Sequence, residues 1–210
     1  MKTSFKECKC GYCVDGSDYA GFPSVWRIAE DKLWIEIPKN GSAFMKHHFK
    51  VPFFPGIIND KVTRNDYDTS EIPWVIVRDP IERFSSMIRH YTWGSRNNYL
   101  RQIYSGDISN VNALIDSFIE KCNTLGSTVE GHHFHPQCYF VRDLEFKSIN
   151  VVHLKDAGKV FYPEISIDKV SDYHLNRSNG EGKIKFNEDQ IKRIKEKYSE
   201  DYEFFGKVFS

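Results

Sequence analysis

The feature that most constrains the fold is a fully apolar run that passes directly into a helix start signal. Residues 74–77 read Trp-Val-Ile-Val, without the polar alternation of a strand that has one face in water. Such a run is typical of a strand buried on both faces. Asp79 and Pro80 follow it and are residue types favoured at the N-cap and at the first helical position. This junction predicts a strand–helix unit in a parallel sheet covered on both sides.

The same alternation of strands and helices recurs along the chain. Residues 33–37 and 149–154 predict two further strands, while residues 111–122 and 187–198 predict two helices. Strands that alternate with helices indicate an α/β fold with a central parallel sheet.

Length and charge limit the organisation of the chain and its partners. With 210 residues, we expect one domain over residues 26–210, preceded by an irregular arm over residues 1–25. The 29 basic and 29 acidic residues balance, whereas nucleic-acid-binding proteins usually have a basic excess, so we expect no nucleic-acid partner. No apolar run reaches the ~20 residues of a membrane span, and no apolar leader is visible, so we expect a cytoplasmic protein.

The cysteines allow two interpretations. Five is an odd number, which argues against a complete disulfide framework. Three of them cluster in the arm, as Cys8, Cys10 and Cys13. They could supply thiolates to a zinc ion with a fourth ligand from elsewhere, or remain free thiols. We favour free thiols and predict no metal site.

The first candidate binding element is the turn after the strand at residues 33–37. Residues 38–44 read Pro-Lys-Asn-Gly-Ser-Ala-Phe, so a strand enters a small-residue turn that opens a helix. Backbone N–H groups at such a helix start bind anions. Lys39 adds positive charge, Gly41 allows close backbone approach and Ser42 offers a hydroxyl. Because the lysine precedes the glycine, this is not a Walker A loop. An ordinary surface turn is the alternative interpretation.

The second candidate element is the junction at residues 77–86. Arg78 leaves the predicted strand at its carboxyl edge, where α/β sheets bind ligands, and Ser86 follows two helical turns later. An arginine fork and a hydroxyl directed at one phosphate explain this pairing. The alternative makes Arg78 a structural partner of Asp79 or Glu82 and leaves Ser86 on the helix surface.

Together the two junctions resemble the sulfotransferases that use 3'-phosphoadenosine-5'-phosphosulfate (PAPS), most closely the carbohydrate sulfotransferase branch. The P-K-N-G-S segment is similar to the family's 5'-phosphosulfate loop, and R-D-P-x-x-R-x-x-S to its 3'-phosphate-binding strand and helix. Residues 133–137, His-Phe-His-Pro-Gln, resemble an H-x-x-P-Q element of that branch. Residues 174–178 and 198–202 are similar to the family's C-terminal end. The resemblance covers about residues 33–206.

The resemblance implies a P-loop-like three-layer α/β/α fold and a set of nucleotide contacts. The residues implied around the 5'-phosphosulfate are Lys39, Asn40, Gly41, Ser42 and Ala43. Those implied at the 3'-phosphate are Arg78 and Ser86, with Arg177 and Ser178 closing over the nucleotide. Many relatives carry a hydroxyl residue where Ala43 stands, which puts one side-chain donor in doubt.

The implied reaction is transfer of a sulfuryl group from PAPS to an acceptor hydroxyl, expected on a glycan, with adenosine 3',5'-bisphosphate (PAP) as product. Lys39 would neutralise the leaving oxygen, and no metal is required because cations and backbone amides stabilise the charge. For the base that takes the acceptor proton, the resemblance favours His133, then His135, with Glu130 left open. Two alternatives remain, namely a PAP- or PAPS-binding protein without activity and a P-loop-like small-molecule kinase. The missing G-K-[ST] pattern counts against the kinase.

Overall fold

The computed structural model describes residues 24–42, 45–46, 63–64, 67–92, 100–101, 103–122, 133–142, 144–161 and 184–209. Within these residues one five-stranded sheet has the order β3-β1-β2-β4-β5. Its strands are β1 (Ser24–Ala29), β2 (Lys32–Glu36), β3 (Thr63–Arg64), β4 (Trp74–Val77) and β5 (Asn150–His153). The predicted arm, residues 1–25, lies outside the described residues except for the start of β1.

The sheet is mixed. The strands β2, β4 and β5 run parallel, with Trp34 opposite Trp74 and Val75 opposite Val151. Strand β1 is antiparallel to both of its neighbours, β2 and β3. The prediction of a parallel sheet therefore holds for the three strands β2, β4 and β5. The β1–β2 hairpin was not predicted, because its Glu30-Asp31 turn lacks the Asn-Gly or Asp-Gly signal of common hairpins.

Helices follow the strands, as the sequence predicts. They are α1 (Pro80–Thr92), α2 (Val111–Lys121), α3 (Ala157–Phe161), α4 (Glu188–Lys197) and α5 (Ser199–Phe209), with short 3₁₀ turns at Cys138–Phe140 and Leu154–Asp156. Asp79 caps α1, since its Oδ1 accepts from the N–H of Ile81 at 2.9 Å and of Glu82 at 3.2 Å. Asn187 and Gln190 form a capping box at the start of α4, where the sequence predicts a helix to begin. The chain thus has an α/β fold.

Hydrophobic side chains cover both faces of the central strands. On one face Trp34 and Ile76 pack with Met45 and Phe161. On the other face lies a second cluster that includes Ile35, Val75, Val77, Phe140 and Phe205. Val75, Ile76 and Val77 are buried, which confirms the prediction of a strand covered on both sides. No helix among the described residues is long and apolar enough to cross a bilayer.

Candidate functional site

The turn after β2 has an unusual backbone. Lys39 and Gly41 both adopt positive φ, at 69° and 84°. The backbone is helical again at Ser42, Met45 and Lys46, and the Met45 N–H donates to the Gly41 carbonyl at 2.9 Å. The predicted order of strand, small-residue turn and helix start is therefore present. A positive φ is uncommon for a residue other than glycine, so Lys39 is held in place by its surroundings.

Gly41 is required for two reasons that are visible in the structure. Its φ lies in the left-handed region, which L side chains rarely adopt. A Cβ atom at this position would lie 2.9 Å from Cδ1 of Leu154, which is closer than real Cβ contacts. The space that a side chain at Gly41 would occupy is thus already filled by Leu154, which directly follows β5.

Two predicted ligand residues of the turn also anchor it. Asn40 is 1% exposed, and its Nδ2 donates to the Ile76 carbonyl at 2.9 Å and to Gln137 Oε1 at 2.6 Å. Its Oδ1 is buried and has no hydrogen-bond partner among the described residues. The Ser42 hydroxyl donates to the Ile37 carbonyl at 2.9 Å. These bonds fix the turn against β4 and against the end of its own strand.

A buried ion pair fastens the helical turn that follows. The Lys46 ammonium lies 2.7 Å from the Glu36 carboxylate at the end of β2. The same carboxylate accepts from the Trp26 indole N–H at 2.9 Å. Because Glu36 is buried, both of these partners are needed to offset its lost hydration.

Arg78 stands at the end of β4, as predicted. Gln137 holds its backbone on both sides, because Oε1 accepts from the Arg78 N–H at 3.0 Å and Nε2 donates to the Arg78 carbonyl at 2.8 Å. The Arg78 side chain is 26% exposed, and its Nε lies 3.3 Å from Glu82 Oε2. Its ionic partner here is thus Glu82, whereas Asp79 caps α1 and accepts from the Tyr202 hydroxyl at 3.3 Å.

The helix after Arg78 carries a half-buried hydroxyl residue and further cations. Ser86 lies on α1, partly buried. Burial lowers the pKa of Arg89, and the nearby charge of Arg78 lowers it further. Arg89 is thus a second positive charge within electrostatic range of Arg78, which the motif alone did not suggest.

Helix α5 completes this arrangement from the far end of the sequence. Asp201 is buried, and its carboxylate accepts from Gln137 Nε2 at 3.2 Å and from the Cys138 N–H at 2.9 Å. Burial raises the pKa of Asp201, while the charge of Arg83 and these hydrogen bonds oppose the rise. Gln137 therefore links the β2 turn, the end of β4 and α5 through one amide group.

The two described candidate bases differ in their surroundings. His133 is half-buried, and its Nδ1 lies 3.0 Å from the Tyr91 hydroxyl. His135 is fully buried, and its ring centroid lies 4.9 Å from that of Tyr139. His133 is thus the closer of the two to solvent. Among the other predicted site residues, Ala43, Glu130, Arg177 and Ser178 lie outside the described residues, so their roles stay predictions.

Among the described residues, two neighbouring cavities lie near the C-terminal end of α1. The larger, of about 610 Å³, is lined by residues that include Arg101, Tyr104 and Asp107. The smaller, of about 130 Å³, is apolar and includes Ile88 and Thr92. Since a helix rises about 1.5 Å per residue, Thr92 lies roughly 18 Å along α1 from its first residue. These cavities are therefore remote from the Arg78 end of the helix.

Cysteines and metal ligands add little to the site. In the part of the chain that the structure describes, no group of three or more His, Cys, Asp or Glu side chains is arranged to hold a metal ion. Cys122 and Cys138 are buried free thiols, and burial raises the pKa of Cys138. Cys8, Cys10 and Cys13 lie outside the described residues.

Comparisons with known proteins give no further assignment. No protein-family model matches the chain, and no curated protein or solved structure is significantly similar to it. Functional inference therefore rests on the motifs and on the geometry of the sheet edge.

Proposed function

We propose that the protein is a sulfotransferase that moves the sulfuryl group of PAPS to an acceptor hydroxyl, with a carbohydrate as the expected acceptor. The observation that carries the proposal is the adjacency of the two motif-bearing turns at the carboxyl ends of the parallel strands β2 and β4. Neighbouring strands lie about 4.7–4.9 Å apart, and Asn40 bonds directly to the Ile76 carbonyl of β4. A ligand with two anionic groups can therefore contact both turns. The fold we propose is the P-loop-like three-layer α/β/α type.

In this proposal the turn after β2 receives the 5'-phosphosulfate. A turn with positive φ at Lys39 and Gly41, on either side of Asn40, can direct backbone N–H groups at a common anion, and Lys39 contributes the cation. The Ser42 hydroxyl, which donates to the Ile37 carbonyl in the ligand-free protein, donates instead to an oxygen of the phosphosulfate. Ala43 contributes its backbone N–H. Asn40, being buried, acts mainly by holding the turn against β4.

The 3'-phosphate is assigned to Arg78 and Ser86. In the ligand-free protein Arg78 pairs with Glu82, whose side chain is 60% exposed, and an exposed pair of this kind contributes only about 0.2–1 kcal/mol. A phosphate offers a charge-assisted and potentially bidentate partner, which is stronger. Arg78 can therefore exchange partners at small cost, while Arg89 adds positive potential. Arg177 and Ser178 are proposed to close over the nucleotide.

The reaction breaks the bond between sulfur and the bridging phosphate oxygen and forms a bond between sulfur and the acceptor oxygen. The acceptor proton passes to a base, and PAP leaves with the bridging oxygen. Lys39 stabilises the charge that develops on this oxygen in the transition state. The remaining requirement is alignment of the acceptor and leaving oxygens.

His133 is the proposed base. A proton can be accepted at Nε2 only in the tautomer whose Nδ1–H donates to a neighbour, and the Tyr91 oxygen, 3.0 Å from Nδ1, can accept that hydrogen bond. A general base must be unprotonated to accept the acceptor proton, and turnover should therefore fall at acid pH. His133→Gln should remove this acid limb and leave PAP affinity unchanged. An unchanged limb would shift the role to His135 or Glu130.

One observation favours a second candidate function, a PAP- or PAPS-binding protein without transferase activity. His135 is fully buried and His133 contacts Tyr91, so both described candidate bases are engaged within the protein. Such a protein would bind the nucleotide through the same two turns. It would release no sulfated product.

One experiment with two readouts tests these functions. Calorimetry compares PAP with adenosine 5'-phosphate, and incubation with sulfur-labelled PAPS or with γ-labelled ATP is followed on an array of hydroxyl acceptors. A sulfotransferase binds PAP at least tenfold more tightly and labels an acceptor from PAPS. Binding of PAP without labelling indicates the binding protein, and labelling from ATP indicates a kinase. Absence of PAP binding refutes the proposal.

A further inference from the structure

Arg83 is a buried arginine that contacts backbone carbonyls from two segments. It is 1% exposed. Its Nε donates to the Pro38 carbonyl at 3.1 Å, Nη1 to the His135 carbonyl at 2.6 Å and Nη2 to the His133 carbonyl at 3.0 Å. These three partners are neutral, and the guanidinium remains charged in proteins.

The three carbonyls belong to the segments that carry the proposed catalytic groups. Pro38 directly precedes Lys39, whereas His133 is the proposed base. We infer that Arg83 is a positioning residue that sets the distance and orientation of the Lys39 turn relative to the His133 turn. This inference rests on the proposed sulfotransferase function.

The contact with Pro38 also orients the phosphate turn. A trans peptide is planar, and its C=O and N–H point in opposite directions. Because Arg83 binds the Pro38 carbonyl inside the protein, the Lys39 N–H of the same peptide points in the opposite direction within the peptide plane. Lys39 then continues with φ at 69°. Arg83 thereby stabilises the orientation of the Pro38–Lys39 peptide in which the Lys39 N–H points away from the Arg83 guanidinium.

Packing of the core alone would not require an arginine at position 83. Burial of a charged group is costly, and an apolar side chain of similar length would pack on the inner face of α1 without that cost. The rigid fork instead binds groups that lie 45, 50 and 52 residues away in sequence. Arg193 offers a contrast, because it is 28% exposed and pairs with carboxylates of Asp116, Glu120 and Asp189.

The test replaces Arg83 with Lys, which keeps the charge and loses the fork, and uses Arg193→Met as the control. Folding is followed by circular dichroism, PAP affinity by calorimetry and turnover by transfer from labelled PAPS. For folded Arg83→Lys we expect turnover to fall on the order of 10²-fold, the scale for about 1 Å of misplacement. PAP affinity should change less than about threefold, since Arg78 is anchored separately by Gln137. Arg193→Met should lose stability and keep its turnover.

The turnover of the double variant Lys39→Ala/Arg83→Lys distinguishes an action of Arg83 through the Lys39 turn from a general effect of Arg83 on the fold. If Arg83 acts through the Lys39 turn, the two losses are not additive, because the second change disturbs a turn that already lacks its cation. Losses that multiply, or wild-type turnover in Arg83→Lys, would overturn the inference while leaving the sulfotransferase proposal intact. A wild-type protein that neither binds PAP nor transfers label refutes the proposed function instead.

If Arg83→Lys does not fold, the inference can be tested on the wild-type protein by nuclear magnetic resonance. In protein labelled with ¹⁵N-arginine, addition of PAP should shift the Nε–H resonance of Arg83, because the anion polarises the peptide between Pro38 and Lys39. The Arg193 resonance should stay in place. An Arg83 resonance that does not move at saturating PAP contradicts the inference.

Discussion

The two junctions at the carboxyl edge of the sheet are built in opposite ways. The β2 turn depends on backbone conformation, with Lys39 and Gly41 at positive φ and Asn40 turned inward. The β4–α1 junction is regular, with a capped helix start and an Arg78 side chain that remains partly exposed. The β2 turn therefore depends on its backbone conformation to place Lys39, whereas the β4–α1 junction depends on the Arg78 side chain on a regular backbone.

Each junction is vulnerable to a different kind of substitution. A shaped turn loses function when its geometry or its cation is changed, and the loss should appear in turnover. A charged junction loses affinity when its arginine is removed, because its fold is fixed by Asp79 and by the backbone contacts of Gln137. The following substitutions test this division.

Lys39→Ala should produce the largest effect. Turnover should fall by on the order of 10²-fold or more, because charge on the leaving oxygen develops chiefly in the transition state. PAP affinity should weaken far less. Steady-state kinetics with labelled PAPS, together with PAP calorimetry, measures both quantities, and near wild-type turnover would contradict the role of Lys39.

Arg78→Ala should weaken PAP binding by roughly tenfold to a hundredfold, since a charged hydrogen bond contributes about 1.5–3 kcal/mol. Binding of adenosine 5'-phosphate should scarcely change. Arg142→Ala is the matched control, because Arg142 also pairs with one exposed glutamate, Glu200, at 3.0 Å. Equal losses for both nucleotides would mean that Arg78 acts by maintaining the fold. Ser86→Ala should show the same selectivity with a milder loss.

Gly41→Ala should destabilise the protein by about 1–3 kcal/mol, because a Cβ at positive φ is strained and would lie 2.9 Å from Leu154. Gly206→Ala is the control, since Gly206 lies in α5 and an added Cβ meets nothing within 4 Å. That change should stabilise the protein by up to about 1 kcal/mol. Urea unfolding measures both free energies, and shifts of the same sign would argue against the strained turn.

Glu82→Gln should give the smallest effect, a rise in PAP affinity where Arg78→Ala causes a loss. It removes the carboxylate that competes for Arg78, and exposed (i, i+4) pairs contribute about 0.3–0.5 kcal/mol. PAP affinity should therefore rise about twofold. The control is Glu196→Gln, which breaks the (i, i+4) pair with Lys192 and should leave PAP affinity unchanged. Weaker PAP binding in Glu82→Gln would indicate that Glu82 orients Arg78 for its ligand.

Local patterns in the sequence predicted the main elements well. The apolar run of β4, the Asp79 cap of α1 and the capping box of α4 are each encoded within a few neighbouring residues. The two junctions also lie at the same edge of the sheet, as parallel strands require. Local signals sufficed here because backbone hydrogen bonds and periodic burial determine these structures.

Side-chain networks could not be predicted in the same way. The bonds of Gln137 to Asn40 and to Asp201 span 97 and 64 residues, and no local pattern encodes such pairings. The motif that suggested Arg78 also contains Arg83, but nothing in its spacing shows that this arginine is buried on three carbonyls. Likewise, no local pattern predicts that His135 is fully buried beside the rings of Tyr139 and Phe140, with centroid distances of 4.9 and 6.4 Å.

The buried carboxylate of Asp201 has a consequence for the order in which the protein is made. A ribosome releases the N-terminal part of a chain first, so the β2 turn, β4 and Gln137 all emerge well before α5. Until Asp201 arrives, the Gln137 amide and the Cys138 N–H lack the acceptor that they share in the folded protein. Contacts between distant parts of a chain also form slowly. The edge of the sheet that carries the two junctions therefore reaches its final form only after α5 has been synthesised, when the rest of the sheet can already support it.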